Sequence, residues 1–145
     1  MRPTIYRVQQ IQNGILSVMA KPVSGEWIEK EFLGLKMLGI NKVVSLLEVS
    51  EQMEVGLENE RKLCEKNDIE FISFPIPDRG LPKTKLAVRL ATSLYGDICL
   101  GSHTVIHCRA GIGRTGIMAG AILMQSGMSA IAALETISRA RGVSV

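Results

Sequence analysis

Two glycines, Gly111 and Gly113, stand between a β-branched apolar run, Thr104 to Ile106, and a longer apolar stretch from Ile117 to Met124. Nothing else constrains the chain as tightly. A short apolar run, a glycine turn and an apolar stretch of helical composition make a buried strand, a tight loop and a helix in direct succession. The loop reads His107-Cys-Arg-Ala-Gly-Ile-Gly-Arg-Thr115, with five residues between Cys108 and Arg114. That length is enough to fold the backbone back so that successive N–H groups converge on one tetrahedral dianion. Because the loop runs into a helix N-terminus, unpaired N–H groups and the helix dipole both favour negative charge there. The same field acts on Cys108. A free thiol titrates near 8.5, and such surroundings bring it to roughly 3.5 to 7.5, leaving a thiolate at neutral pH. Arg114, with its planar fork of donors, can hold two phosphate oxygens at once. These residue types at this spacing point to transfer of a phosphoryl group through sulfur.

Two other phosphate motifs are weighed and set aside. Gly111-Ile-Gly-Arg-Thr-Gly116 satisfies Gly-x-Gly-x-x-Gly between strand and helix, but a dinucleotide site also needs a second strand ending in an acid about 20 residues on. Glu135 has that spacing, yet it falls in Ser129 to Arg141, where Ala130, Ala133, Leu134 and Ile137 recur at helical intervals. An ATP-type loop is excluded because no Lys-Ser or Lys-Thr follows the glycines.

Expelling an alkoxide or phenoxide from phosphorus also needs an acid to protonate the departing oxygen. The segment Phe74-Pro-Ile-Pro-Asp78-Arg-Gly-Leu-Pro82 supplies a candidate just past the carboxyl end of an expected strand, Glu70 to Phe74. Asp68 would face the opposite sheet edge, and Asp97 sits late in an expected helix. From the residues alone, Asp78 serves equally well as a turn former or as an acid.

The string His107-Cys-(five residues)-Arg114-Thr115, with Ala110-Gly-Ile-Gly113 inside it, resembles the signature of the cysteine-dependent protein tyrosine phosphatase superfamily. The brevity of the chain matches its compact dual-specificity branch. The resemblance implies Cys108 as nucleophile and Arg114 as phosphate and transition-state binder. Phosphate would also be held by the amides of Arg109, Ala110, Gly111, Ile112, Gly113 and Arg114. Thr115 would assist departure of the sulfur, and His107 would order the loop. It selects the acid role for Asp78, because the general acid of compact members lies on a loop about 30 residues before the nucleophile, as Asp78 does. The implied activity is phosphomonoester hydrolysis through a phosphocysteine, on phosphotyrosine in proteins and, with a shallow pocket, on phosphoserine and phosphothreonine. Two alternatives stand: an inactive phosphoprotein-binding module, and a phosphatase acting on a phosphoinositide, nucleotide or sugar phosphate. An apolar Ile112, where inositide phosphatases often carry a lysine, counts against a polyphosphorylated ring. The expected partners are phosphorylated protein and phosphate or another oxyanion in the loop, with no cofactor.

The rest of the chain reads as one α/β domain spanning residues 1–145, a mostly parallel four- to five-stranded sheet flanked by helices. Strands are expected at Ile15 to Met19, Lys42 to Leu47, Glu70 to Phe74 and Thr104 to Ile106. Ser24 is positioned to cap a helix bearing Ile28, Phe32 and Leu35 and stopping at Gly39, and a charged helix spans about Gly56 to Lys66. A further helix from about Lys83 to Leu100 sets Leu86, Leu90, Leu94 and Ile98 four apart as a core stripe. At 46% hydrophobic content, the domain can bury a real core. Its net charge of +3 is too slight to argue for nucleic acid, although Arg79, Arg109 and Arg114 are expected to make the site mouth positive. Three cysteines and two histidines fall at no metal-binding spacing. Cys64 and Cys99 read as packing residues, with a disulfide from one of them to an oxidised Cys108 as a lesser alternative, and His103 as chemically silent. Met1 to Gln10 are too polar for an export signal, and no apolar run approaches the roughly 20 residues that span a bilayer. The expectation is a cytoplasmic protein without a membrane partner.

Overall fold

The computed structural model describes residues 3–143 and 145. A hairpin of β1 (Tyr6–Ile11) and β2 (Gly14–Met19) leads to helix α1 (Ile28–Met37), strand β3 (Lys42–Ser45), two short helices α2 (Val49–Glu54) and α3 (Glu60–Lys66), and strand β4 (Glu70–Ser73). The long α4 (Thr84–Cys99), strand β5 (His103–His107) and helices α5 (Gly113–Gln125) and α6 (Ala130–Arg141) follow. The five strands lie in the order β1-β2-β5-β3-β4. All neighbours are parallel except β1 with β2.

β5 sits at the centre because it can be buried on both faces: Val105 and Ile106 are wholly inaccessible, as are Val43 and Val44 beside them. Continuous β-branched runs of this kind are what a two-sided parallel sheet demands. Register places Met19 and Ser45 on either side of His107, so three strands end together. The Cys108 loop therefore leaves the middle of the sheet at its carboxyl edge, where open α/β sheets bind ligands. One apolar cluster joins the sheet to α4, α5 and α6 through Leu16, Ile106, Leu94, Met118, Ile122 and Ile137. The other, built from Phe32, Leu35, Val43, Cys64, Ile69 and Phe71, packs α1 and α3 on the opposite face.

Several elements depart from expectation. β1 was not foreseen, because Tyr6-Arg-Val-Gln-Gln-Ile11 is polar; as an edge strand it buries only Val8 and Ile11. Ser24 does not cap α1: the cap position is Trp27, with no side-chain hydrogen bond. The charged helix expected from about Gly56 begins only at Glu60, and α2 before it was not expected; Gly56, with φ +74, follows the end of α2. The α4 stripe is rotated. Leu86 is 47% exposed, and Ala87, Ala91, Leu94 and Ile98 are buried, because steps of four residues over-rotate by about 40° each on a helix of 3.6 residues per turn. In α6 the buried pair is Ala133 and Ile137, with Leu134 outside.

Among the described residues no helix is long and apolar enough to cross a membrane.

Candidate active site

The loop from Cys108 to Arg114 closes around the N-terminus of α5, whose first residue is Gly113. Gly111 makes the closure possible in two ways. Its φ is +75, and a Cβ there would lie 2.3 Å from the Met19 carbonyl oxygen and 2.8 Å from the Ala20 nitrogen, backbone that has no slack. Gly113 has no such restriction; a Cβ there would meet only open space.

The loop carbonyls face outward. That of Arg109 accepts from the Lys21 N–H at 3.1 Å, that of Ala110 from Arg141 Nη2 at 2.8 Å, and that of Gly111 from Arg141 Nε at 3.1 Å. In a trans peptide plane an outward carbonyl sends the next N–H the other way. The amides that follow therefore converge on the loop centre, where the Cys108 sulfur forms the floor. Burial resists ionisation of Cys108, but the Thr115 hydroxyl and N–H and the amides of Gly111 and Ile112 outweigh it, so the thiol titrates below its ordinary range. The Thr115 hydroxyl is buried and has no hydrogen-bond partner among the described residues. It remains available to the sulfur.

Arg114 is 4% exposed and held from behind. Its Nη1 donates to Glu51 Oε1 at 2.6 Å and to the Ile76 carbonyl at 2.9 Å, and its Nη2 donates to Glu51 Oε2 at 2.9 Å. This end-on clamp uses three of the five N–H groups. The side-on fork of Nε and the second Nη2 hydrogen has no hydrogen-bond partner among the described residues, which leaves a bidentate edge for two oxyanion oxygens. The pairing with Glu51 also holds that carboxyl below its usual range against the opposing effect of burial.

His107 is fully buried. Its Nε2 lies 2.6 Å from Glu60 Oε2, and its Nδ1 lies 3.1 Å from the Cys108 carbonyl oxygen. Burial alone would lower its pKa, but the Glu60 carboxylate more than reverses this and holds the imidazole above its ordinary value. With both ring nitrogens within hydrogen-bond distance of a partner, the imidazole fixes the backbone where the strand becomes the loop. The ring makes no hydrogen bond to the sulfur.

Asp78 lies on the loop after β4, its side chain 60% exposed and its Oδ1 3.6 Å from Arg114 Nη2. The Ile76 carbonyl bound by Arg114 ties this segment to the phosphate loop from the other end. The Asp78 loop and the Cys108 loop thus meet at one guanidinium.

The mouth is less positive than its arginines imply. Arg109 Nη2 pairs with Glu54 at 2.9 Å, and its Nε approaches Glu51 at 3.7 Å, so two glutamates offset two arginines. Sequence reasoning missed Glu51, Glu54, Glu60 and Arg141. The first three lie in a charge-rich segment that reads as solvated surface. The available signal was the demand of buried Arg114 and His107 for acids, although nothing local says which acids answer it.

The remaining ionisable candidates are elsewhere. His103 starts β5 at the opposite sheet edge, bonded to the Ser17 hydroxyl at 2.8 Å, with its pKa pushed down to about 4 by burial and by Arg7. The Cys99 backbone carbonyl accepts from the Asn13 N–H at that same edge, roughly a strand length of 15 Å from Cys108, beyond disulfide reach. Cys64 is buried in the cluster on the other face, where burial pushes its thiol up. A groove of about 560 Å³ lined by Tyr6, Met19, Lys21 and Trp27 includes no residue of the phosphate loop, and so is not the reacting cavity.

Known proteins share this fold. The solved structure of a kinase-associated phosphatase, with its catalytic cysteine replaced by serine, superposes with a TM-score of 0.87 at 20% identity, covering 98% of this chain and 85% of that one. The active form of Tk-PTP gives 0.80 at 26% identity, over 99% and 88% of the two chains. PTPMT1 in complex with PI(5)P gives 0.74 at 20% identity, over 95% and 83%. Among curated proteins, the phosphatidylinositol 3,4,5-trisphosphate 3-phosphatase and protein-tyrosine-phosphatase PTEN1 of Arabidopsis thaliana is 41% identical over 64 residues, a stretch that is 43% of this chain and only 16% of that protein. The family model described as "PTP-SAK: Swiss Army Knife protein, DSP-PTPase phosphatase domain" matches residues 6–142. That match, running along nearly the whole chain and across a sheet edge that carries a cysteine in a cradle of amides, makes this chain a member of the DSP-PTPase phosphatase domain family, a cysteine-based phosphatase of the dual-specificity type.

Proposed function

We propose that the protein hydrolyses phosphomonoesters through a phosphocysteine at Cys108. The observation that carries the reading is the convergence of the loop amides and the side-on edge of Arg114 above a thiol held below its ordinary pKa. Cys108 attacks phosphorus in line with the leaving oxygen, the sulfur–phosphorus bond forms as the phosphorus–oxygen bond breaks, and Asp78 donates its proton to the departing oxygen. Asp78, then a carboxylate, takes a proton from water as that water attacks phosphorus. The sulfur leaves as thiolate, stabilised by the Thr115 hydroxyl, and inorganic phosphate is released. Intact nucleophile, acid and clamp favour turnover over phosphoprotein binding alone.

For substrate, the reading is phosphotyrosine in protein, with phosphoserine and phosphothreonine as further substrates. Apolar Ile112 and the pairing of Arg109 with Glu54 and Glu51 count against recognition of additional phosphates. A phosphoinositide is the second reading, favoured by the likeness to PTEN1 and to the lipid-bound PTPMT1. The test assays an aryl phosphate, phosphotyrosyl and phosphothreonyl peptides and phosphoinositides, with wild type and Cys108→Ser. Peptide turnover with little inositide hydrolysis, lost in the serine variant, is the expected result. Vigorous inositide hydrolysis with negligible peptide activity would reverse the substrate ranking.

A further inference from the structure

Arg141, in the last turn of α6, is remote in sequence from every catalytic group yet makes two hydrogen bonds to the phosphate loop. Its Nε donates to the Gly111 carbonyl at 3.1 Å and its Nη2 to the Ala110 carbonyl at 2.8 Å. The guanidinium is itself oriented by the Tyr6 ring of β1, 4.3 Å from the centroid, an attraction that fixes its plane. The two carbonyls belong to the peptide units whose N–H groups are those of Gly111 and Ile112. These same two amides face the Cys108 sulfur.

We propose that Arg141 is a positioning residue for the phosphate loop, holding two consecutive peptide planes with their carbonyls outward so that the Gly111 and Ile112 amides point at the sulfur and at bound phosphate. The need for such a device follows from Gly111. Residues flanked by a Cβ resist rotation of their peptide planes, whereas glycine accepts either orientation at little cost. The position that must lack a Cβ to fit against Met19 is therefore also the one where the planes turn most easily. An external donor across both carbonyls removes that freedom before substrate arrives, which is the preorganisation that oxyanion binding requires. Arg141 touches neither substrate nor sulfur; it acts through the loop.

This rests on the reading of Cys108 as the thiolate nucleophile, and the experiment separates the two. Inactivation by iodoacetamide, a neutral reagent that reports thiolate, is followed against pH, and inhibition by inorganic phosphate is measured in parallel. The ionisable groups around the sulfur are His107 and Arg114, with Glu60, Glu51 and Asp78 paired to them, and all are retained in the variants. Arg141→Met is expected to move the inactivation profile to higher pH, with roughly tenfold less thiolate below the transition, and to weaken phosphate about tenfold. Arg141→Lys, whose ammonium reaches one carbonyl at a time, should fall between and serves also if the Met variant folds poorly. Arg139→Met removes the same charge from the same last turn and should match wild type. Arg141→Met or Arg141→Lys folded with a wild-type profile and wild-type phosphate inhibition would overturn the positioning role. A wild-type profile at the ordinary thiol value would instead overturn the nucleophile reading beneath it.

Discussion

Replacing Glu51 with glutamine leaves the shape of the site almost unchanged and removes one charge. The structure sets the size of the effect. Glu51 and Arg114 are 7% and 4% exposed, and two hydrogen bonds of 2.6 and 2.9 Å join them. Glutamine keeps one acceptor oxygen, but its amide turns hydrogens toward a guanidinium that has only hydrogens to offer. Breaking a buried pair by removing one partner costs about 3 to 5 kcal/mol. The lower end applies here, because the Ile76 carbonyl stays bound and exposed Asp78 can move closer. A loss near 3 kcal/mol corresponds to a melting point lower by roughly 10 °C for a domain of this size. The catalytic effect is separate: a guanidinium free to rotate no longer presents its side-on fork, and loss of one aligned oxyanion donor costs about 10² to 10³ in kcat. Calorimetry and aryl phosphate kinetics measure the two together. A second signature comes from pH. Because the Glu51 carboxyl is held below its usual range, its contribution to stability is present above the unfolded carboxylate pKa and is lost as pH falls through the lower folded value; the glutamine variant lacks that acid limb. Near-wild-type kcat with a stability change under about 1 kcal/mol would refute the claim that Glu51 aims Arg114.

Asp78→Ala should cost about 10² or more in kcat/KM on alkyl or unactivated aryl phosphates and progressively less as the leaving group becomes more acidic; equal losses across a leaving-group series would remove Asp78 from the acid role. Gly111→Ala places a Cβ 2.3 Å from the Met19 oxygen at φ +75. The left-handed conformation alone costs roughly 1 to 2 kcal/mol, and the overlap adds to it, so phosphate inhibition should be lost even if the variant folds; retained inhibition contradicts the close approach. For Glu60→Gln the sign follows from His107, whose pKa is raised in the folded state by Glu60. That stabilisation is complete below about pH 6.5, the unfolded histidine value, and fades as pH rises through the higher folded value. The glutamine variant should lose this alkaline decline in melting temperature, and parallel curves for the two proteins would rule the pair out.

The parts legible in sequence were those with local chemistry. The Cys108 loop carries its own geometry in its glycines, and the parallel strands announce themselves in Val43-Val44 and Val105-Ile106. β1 was invisible because an edge strand buries one face only, and Tyr6 to Ile11 carries too few apolar residues to show a period. Helix α4 was placed correctly but rotated, since its buried face uses Ala87 and Ala91, small residues that a leucine count overlooks. The supporting acids were harder still. Glu51 and Glu60 differ in no local way from exposed Glu58 or Glu65; only the fold, by ending β5 between β2 and β3, brings Arg114 and His107 to them. Arg141 belongs to the same class, a charged helix-terminal residue whose role appears only once α6 has packed beside β1.

The central claim is a covalent bond between phosphorus and the Cys108 sulfur. Rapid acid quench of the protein during turnover, followed by mass spectrometry of the peptide containing Cys108, tests it most directly. The account predicts a phosphate adduct on that cysteine that forms before steady state and is absent from Cys108→Ser, which does not turn over. Unimpaired hydrolysis by the serine variant, or turnover in wild type with no phosphorylated Cys108 at any quench time, would contradict it.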